Sequence, residues 1–253
     1  MENKSILLVV ASILLSGMMV ASAIIFNGYQ NRKDSNNKNS NNTATNDLPK
    51  VDNNDPVEAR DIKVDISEDT PYLGNKDEAK IAIIEFSDYE CPFCKKFHEG
   101  SRLDIIKEYV DKGKAILAWK DYPLSFHDPL ATKQAVAAQC VYEQKGNKGY
   151  FEYANAIFDK TVSGGDGMKE NELNVLAKGI AGLDTTKFDT CIKDEKTLDK
   201  VKAGTKFGND NGITGTPGFI IGKLENGKLV GGIRIAGALP LATFQGYLDD
   251  FLK

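Results

Sequence analysis

Among the 253 residues, the side chains with the most specific chemistry are four cysteines and two histidines. Two of the cysteines, Cys91 and Cys94, stand two residues apart in FSDYECPFCKKFH (86–98). A Cys-x-x-Cys can grip a metal, staple a turn, or cycle between dithiol and disulfide. Ligand count weighs against the first. A structural zinc takes four ligands, usually two such pairs or one pair with two spaced histidines. This chain offers one pair with only His98 and His127, so no metal is expected. A purely structural staple across so short a loop constrains the unfolded chain little. Position favours redox exchange. Cys91 follows the apolar run KIAIIEFS (80–87) and opens a segment with helical spacing. Its sulfur therefore sits at a helix N-terminus, where unpaired N–H groups and the macrodipole favour the thiolate. Pro92 suits the first turn because it has no N–H to leave unsatisfied. Cys94, one turn further in, is the shielded thiol suited to resolve a mixed disulfide.

The surrounding elements follow from periodicity. The run at 80–87 reads as a buried strand. Residues 95–112 space Phe97, Leu103, Ile106, Tyr109 and Val110 as a helix ending before Gly113, and AILAWK (115–120) reads as a second strand. Strand, helix, strand over so short a span is a βαβ unit with parallel strands and a right-handed crossover. From 128 to about 208 the pattern turns helical, in ATKQAVAAQCVYEQ, YFEYANAIFDK, ENELNVLAKGIAG and TTKFDTCIKDEKTLDKVKAGTKFG. Strands return at GFIIG (218–222) and KLVGGIRI (228–235), joined through Glu225-Asn226-Gly227, a strong hairpin signal. An amphipathic helix over 241–252 follows Pro240. The order βαβ, helices, ββα gives an α/β fold with an inserted helical subdomain.

The N-terminal part reads differently. Residues 5–26 are uncharged and long enough to span a bilayer. Ala21-Ser22-Ala23 resembles a signal-peptide cleavage site, yet the apolar run continues through Ile24, Ile25 and Phe26. An uncleaved transmembrane anchor over 1–26 is expected, with a secreted or periplasmic protein as the outcome if cleavage occurs. Residues 27–56, rich in Asn, Ser, Lys and Asp, cannot bury a core and are expected to be a disordered linker. Residues 57–253 then form one domain, with the helical insertion at about 128–208. The net charge of −4 gives no basic patch for nucleic acid. The folded part is expected on the extracytoplasmic side of the membrane.

Strand, CPFC, helix, and Thr216-Pro217 in GITGTPGFIIG before the last hairpin resemble the thioredoxin superfamily in that order. The helical block between the two halves resembles its DsbA-like branch, from about residue 62 to residue 253. The resemblance implies a thioredoxin fold and a thiol:disulfide oxidoreductase with no bound cofactor. It implies a cis Thr216–Pro217 bond, which places Pro217 against the CxxC and in the catalytic set with Cys91 and Cys94. It implies too that Glu85, six positions before Cys91, is buried beneath the disulfide and assists proton transfer to and from Cys94. A buried carboxylate is costly without such a role or a partner, and its pKa rises. Lys120 is a candidate partner, and an outward-facing Glu85 is the alternative. Backbone groups of Thr216 could pair with an extended substrate strand, so Phe93, Thr216 and Pro217 are the expected substrate contacts. The leading function is an oxidase that introduces disulfides into exported proteins with free cysteines and is reoxidised by a quinone-linked membrane partner. A reductase or isomerase on the same fold, or a tethered binding or chaperone-like domain, is the alternative. Pro92-Phe93 supplies no imidazole to the Cys91 thiolate, so the potential is expected to be less oxidising than that of the strongest oxidants. No segment resembles a dimerisation domain, and a monomer is expected.

Asp88 and Glu90 are expected to be solvated, with Glu90 raising the Cys91 pKa by like charge. His98 reads as a surface or packing residue, His127 as marking the start of a helix, Asp166 as part of a solvated turn, and Trp119 and Phe126 as core or groove wall. With Cys91 and Cys94 needed for each other, Cys140 and Cys191 form the remaining pair. Apolar neighbours at helical spacing (Val136, Ala137; Phe188, Ile192) turn both inward, and DsbA-like sequences often carry cysteines at both places. Two buried free thiols are the alternative.

Overall fold

The computed structural model describes residues 57–253; the expected anchor (1–26) and linker (27–56) lie outside the described residues. The apolar run forms strand β3 (Ile81–Ser87), buried at every position, as a strand covered on both faces must be. It pairs in parallel with β4 (Ala115–Asp121) and antiparallel with β5 (Gly218–Glu225). With β1 (Val57–Asp65), β2 (Tyr72–Leu73) and β6 (Lys228–Ala236), the sheet runs β1-β6-β5-β3-β4-β2. The β5–β6 turn places Asn226 at φ 52° and Gly227 at φ 78°. Two successive positive φ values give the two-residue turn whose twist matches the flanking strands. Both edge strands escape the sequence reading. β1 breaks register with β6 at three places and carries Asp61 at φ 60°, as bulged strands do, although residues 61–66 still alternate between exposed and inward positions. β2 is two residues long.

The crossover from β3 to β4 is not the single helix expected over 95–112. It comprises α1 (Pro92–Glu99), α2 (Ser101–Ile105) and a π-helical turn (Ile106–Val110). Gly100, at φ −117° and ψ −112°, breaks the first from the second. The inward stripe runs through Cys94, His98, Arg102 and Ile105, at spacings of four, four and three. Leu103, expected on that stripe, lies off it and is 55% exposed.

Four helices separate β4 from β5: α3 (Leu130–Lys160), α4 (Asn171–Gly179), α5 (Thr185–Cys191) and α6 (Glu195–Asp210). α3 kinks at Gly146, whose φ of 61° suits a residue without a Cβ. The single helical run expected over 185–208 divides into α5 and α6, because the Asp194 side chain caps a fresh N-terminus by accepting from Lys196 N–H. The last helix, α7 (Leu241–Leu252), follows Pro240. One core cluster joins Tyr89, Trp119, Tyr150, Tyr153 and Phe158 to the inserted helices, and a second joins Ile81, Ile83, Phe97, Phe219 and Phe244 on the α1 and α7 side of the sheet. Cys140 and Cys191 are bonded (S–S 2.04 Å), fastening α3 to α5. Among the described residues no helix is long and apolar enough to cross a membrane.

Candidate active site

The C-terminal end of β3 and the start of α1 meet at the CPFC. Cys91 is the N-cap of α1, extended at φ −78° and ψ 120°, with Pro92 in the first turn. Its carbonyl accepts the opening helical bond from Lys95 N–H at 3.0 Å. The Cys91 thiol donates to the Thr216 carbonyl at 3.3 Å, and the Thr216–Pro217 bond is cis. A second cis bond, Asp128–Pro129, was not expected. Cys91 and Cys94 are both free thiols. Cys91 is only 4% exposed. Phe93 beside it is 61% exposed.

The two thiols are driven apart. The hydrogen bond from Cys94 leads in holding Cys91 down at about 6; contacts with Thr216 and the N–H groups of Cys94 and Phe93 act with it, and burial opposes. Burial pushes Cys94 well up, helped by its hydrogen bond to Cys91 and by the Cys91 charge. At neutral pH the pair is therefore a thiolate at the helix start and a thiol beneath it.

Glu85 is completely buried, and neither carboxyl oxygen has a hydrogen-bond partner among the described residues. Two residues on from Ile83 in β3, it shares the sheet face that carries α1. Burial raises it to about 7, against the opposing charge of Arg102 and the Ser87 hydroxyl. Ser87 Oγ itself makes no formed hydrogen bond, so it acts as a nearby dipole. Lys120 is not the partner anticipated for this acid. The β3–β4 register sets Glu85 against Trp119 and Phe86 against Lys120, which turns Lys120 to the opposite face. There it donates to Thr70 Oγ1 at 2.8 Å.

Asp88 and Glu90 are buried rather than solvated. Asp88 accepts from Glu90 N–H (2.7 Å) and Leu124 N–H (2.9 Å), and pairs with His127 Nδ1 (2.8 Å). Glu90 accepts from Gln134 Nε2 and Thr161 Oγ1, both at 2.6 Å, and from the N–H groups of Gly165 (3.0 Å) and Gly167 (2.8 Å). Four donors make a buried carboxylate tolerable. They come from α3 and the loop after it, which local sequence cannot place. Cys91 is set by Cys94, Thr216, Phe93 and burial, not by the like charge expected from Glu90.

His98 packs in the interior, stacked on Phe158 with ring centroids 4.4 Å apart. Burial, then the charges of Arg102 and Lys95, push it down to about 3, so it stays neutral. Trp119 is core, whereas Phe126 is 73% exposed. The sequence reading passed over two residues. Lys95 donates to the carbonyls of Phe158 (2.7 Å) and Thr161 (2.6 Å), closing the C-terminus of α3 against α1. Arg102 lies inward on α2; its spacing of eight from Cys94 and four from His98 was the available signal.

A helix-start thiolate, a shielded partner thiol and a buried acid that titrates near neutrality can together carry out thiol–disulfide exchange. Known proteins bear on this arrangement. A family model described as thioredoxin matches residues 66–250. A putative protein-disulfide oxidoreductase of Rickettsia felis is 24% identical over 181 residues, covering 71% of this chain and 57% of that protein. Disulfide bond formation protein D of Bacillus subtilis is 27% identical over 146 residues, covering 56% of this chain and 60% of that protein. The chain thus spans less than two thirds of the length of these curated relatives. The crystal structure of Pseudomonas aeruginosa DsbA2 superposes with a TM-score of 0.58 at 27% identity, over 72% of this chain and 93% of that one. Because the match runs through β3, the CPFC, the inserted helices and the β5–β6 hairpin, the chain belongs to the thioredoxin family, among relatives named as protein-disulfide oxidoreductases and structural neighbours that are DsbA proteins.

Proposed function

We propose that this protein is an oxidase that donates the Cys91–Cys94 disulfide to exported proteins carrying free cysteines. The observation that carries the reading is the opposed setting of the two thiols, Cys91 held at about 6 and Cys94 pushed well up. A low-pKa thiolate is a good leaving group and stabilises the reduced enzyme, which makes the disulfide form a ready donor. A substrate thiolate attacks Cys91 Sγ. The Cys91–Cys94 bond breaks, and its electron pair stays on Cys94, which takes a proton from the Glu85 carboxylic acid. A second substrate thiolate then attacks the substrate sulfur of the mixed disulfide and expels Cys91 as thiolate. Substrate leaves oxidised and the enzyme reduced by the same two electrons. Backbone groups of Thr216, the exposed ring of Phe93 and Pro217, which brings no competing N–H, offer an extended substrate segment a seat beside Cys91.

No bound cofactor is needed. The reduced pair is returned to the disulfide by a membrane partner that passes electrons to a quinone. The domain works as a monomer on the extracytoplasmic side, held by the apolar segment 5–26 and spaced by residues 27–56. Supporting this location are the length of the apolar run and the Cys140–Cys191 bond, since structural disulfides persist in oxidising compartments. The test is a Cys94→Ala trap. Mixed disulfides through Cys91, released by dithiothreitol and missing from Cys91→Ala, are the expected result. A Cys94→Ala protein that captures no more thiol adduct than Cys91→Ala would mark a binding domain with an inert CPFC.

A further inference from the structure

The two buried carboxylates that precede Cys91 each hold a loop. Asp88 accepts from Leu124 N–H and pairs with His127, and Phe126 between those residues is left 73% exposed. Glu90 accepts from Thr161 Oγ1 and from the N–H groups of Gly165 and Gly167, while its carbonyl takes Gly164 N–H at 2.8 Å. We propose that this second loop, 161–167, is a wall of the substrate site and that its Val162 is a specificity-determining contact. Val162 takes an apolar side chain two positions from the reactive cysteine of an extended substrate segment. The inference deepens the proposed exchange at Cys91 and rests on it.

The loop is fastened on both sides of the CPFC. Lys95, four residues after Cys91, donates to the Thr161 carbonyl at 2.6 Å. Glu90, one residue before Cys91, holds Gly164. Val162 stands between these two anchors, its N–H closing the loop onto the Gly167 carbonyl at 2.9 Å. Ser163, Gly164 and Gly165 all have positive φ, at 67°, 96° and 96°, a costly conformation for the serine, which carries a Cβ. At Gly167 a Cβ would run into Thr161 Oγ1 and Ser163 N and come within 2.6 Å of Glu90 Oε2. At Gly165 a Cβ would lie 3.2 Å from His127 Cα, so the two loops brace each other. Strain and a buried carboxylate persist where the fold must hold a segment in one place. Yet the side chain held there, Val162, is 82% exposed. A lone exposed valine is ordinary. Among the described residues, however, five large apolar side chains are exposed, and Phe93, Phe126 and Val162 are three of them, all on the CPFC or on the loops tied to Asp88 and Glu90. A fixed backbone under an uncovered apolar side chain fits a contact completed on binding.

The occupant follows from strand geometry. Side chains of an extended segment alternate, so those facing the enzyme together with the cysteine lie two positions away, about 6–7 Å along the chain. The Thr216 carbonyl addresses backbone, whereas the Val162 side chain has no polar atom and reads only apolar surface. Cysteine is among the most buried residues of folded proteins, so its apolar neighbours are open to Val162 only before the substrate folds.

The test uses the full-length chain in detergent, with Cys94→Ala so that Cys91 reacts once. Two short peptides each carry a cysteine joined by a disulfide to thionitrobenzoate; one has leucine two positions to either side of that cysteine, the other serine. The Cys91 thiolate attacks the peptide sulfur, and the bond to thionitrobenzoate breaks, releasing a coloured thiolate. The leucine peptide should react about fivefold faster, the effect of half-burying a valine side chain. Both rates come from one protein, so the reactivity of Cys91 cancels in their ratio. Val162→Ser should bring the ratio close to one and Val162→Ile should keep it. Gly167→Ala, which forces the loop off Glu90 with Val162 still present, should also lose it; should that variant not fold, the exposed Val162→Ser decides alone. A ratio near one before any change at Val162 overturns the proposal, as does a ratio that survives Val162→Ser because Phe93 supplies the preference. Reaction with neither peptide would overturn the exchange reading itself, and the contact with it, whereas equal reaction with both overturns the contact alone.

Discussion

Glu85→Gln tests the buried acid through stability rather than turnover. On folding, the carboxyl moves from its ordinary 4.5 to about 7 because it is removed from water with only partial compensation. Between those two values the folded protein holds a proton that the unfolded chain has released. The folded state therefore binds more protons there, and stability falls as pH rises through that window. A span of about 2.5 pH units at about 1.36 kcal/mol each gives a loss of about 3 kcal/mol, complete by about pH 8. Gln does not ionise and suffers no such loss. Its amide meets no ready partner at that position, which costs about 1–3 kcal/mol at every pH. The difference in unfolding free energy, variant minus unaltered protein, should then be flat below about pH 4.5 and climb by about 3 kcal/mol by pH 8. Urea unfolding at half-unit pH intervals reads this directly, after mild reduction that opens only Cys91–Cys94. Titrations common to both proteins, Cys91 included, cancel in the difference. A difference that stays constant from pH 4.5 to pH 8 would refute the reasoning, because a carboxyl without that slope is not the buried, unpartnered group on β3.

Other expectations follow from the same geometry. Limiting iodoacetamide on the reduced protein should label Cys91 first, with a rate that rises around pH 6 as the thiolate forms; preferential labelling of Cys94 would reverse the roles. Removing the Cys140–Cys191 bond by paired Ser substitutions should lower stability by up to about 4 kcal/mol, the chain-entropy figure for a separation of 51 residues. After mild reduction a denaturing thiol titration should find two free thiols, and four would contradict the bond. Glu90→Gln should cost about 1.5–3 kcal/mol in urea unfolding, because charge-assisted bonds to Gly165 and Gly167 weaken; a loss under about 0.5 kcal/mol would show that the carboxylate does not hold that loop.

What the sequence made legible was local. The CPFC announces itself by spacing, and its place between a β-branched run and a helix start predicts which thiol is activated. Asn226-Gly227 marks the last hairpin because only residues tolerant of positive φ serve there. What stayed hidden depends on register and distant loops. Lys120 looks as close to Glu85 as any cation until the parallel pairing turns it to the other face. Glu90 looks solvated until Gln134, Thr161, Gly165 and Gly167 converge on it from up to 77 residues away. Arg102 was legible in principle, one turn beyond His98. The periodicity instead favoured Leu103, because a hydrophobic pattern scores an inward arginine as outward.

The most direct measurement of the central claim is the reduction potential of the Cys91–Cys94 pair, equilibrated against glutathione buffers and read by alkylation. A donor of disulfides must hold its reduced form more stably than a reductant does. Here the Cys91 thiolate, held at about 6 by Cys94, Thr216 and the helix-start N–H groups, supplies that stabilisation. The Pro92-Phe93 dipeptide adds no imidazole to it. The account predicts a potential less negative than the about −270 mV of thioredoxin and more negative than the about −120 mV of DsbA. A value at or below about −270 mV would contradict it, since a pair so poised would reduce exported proteins rather than oxidise them.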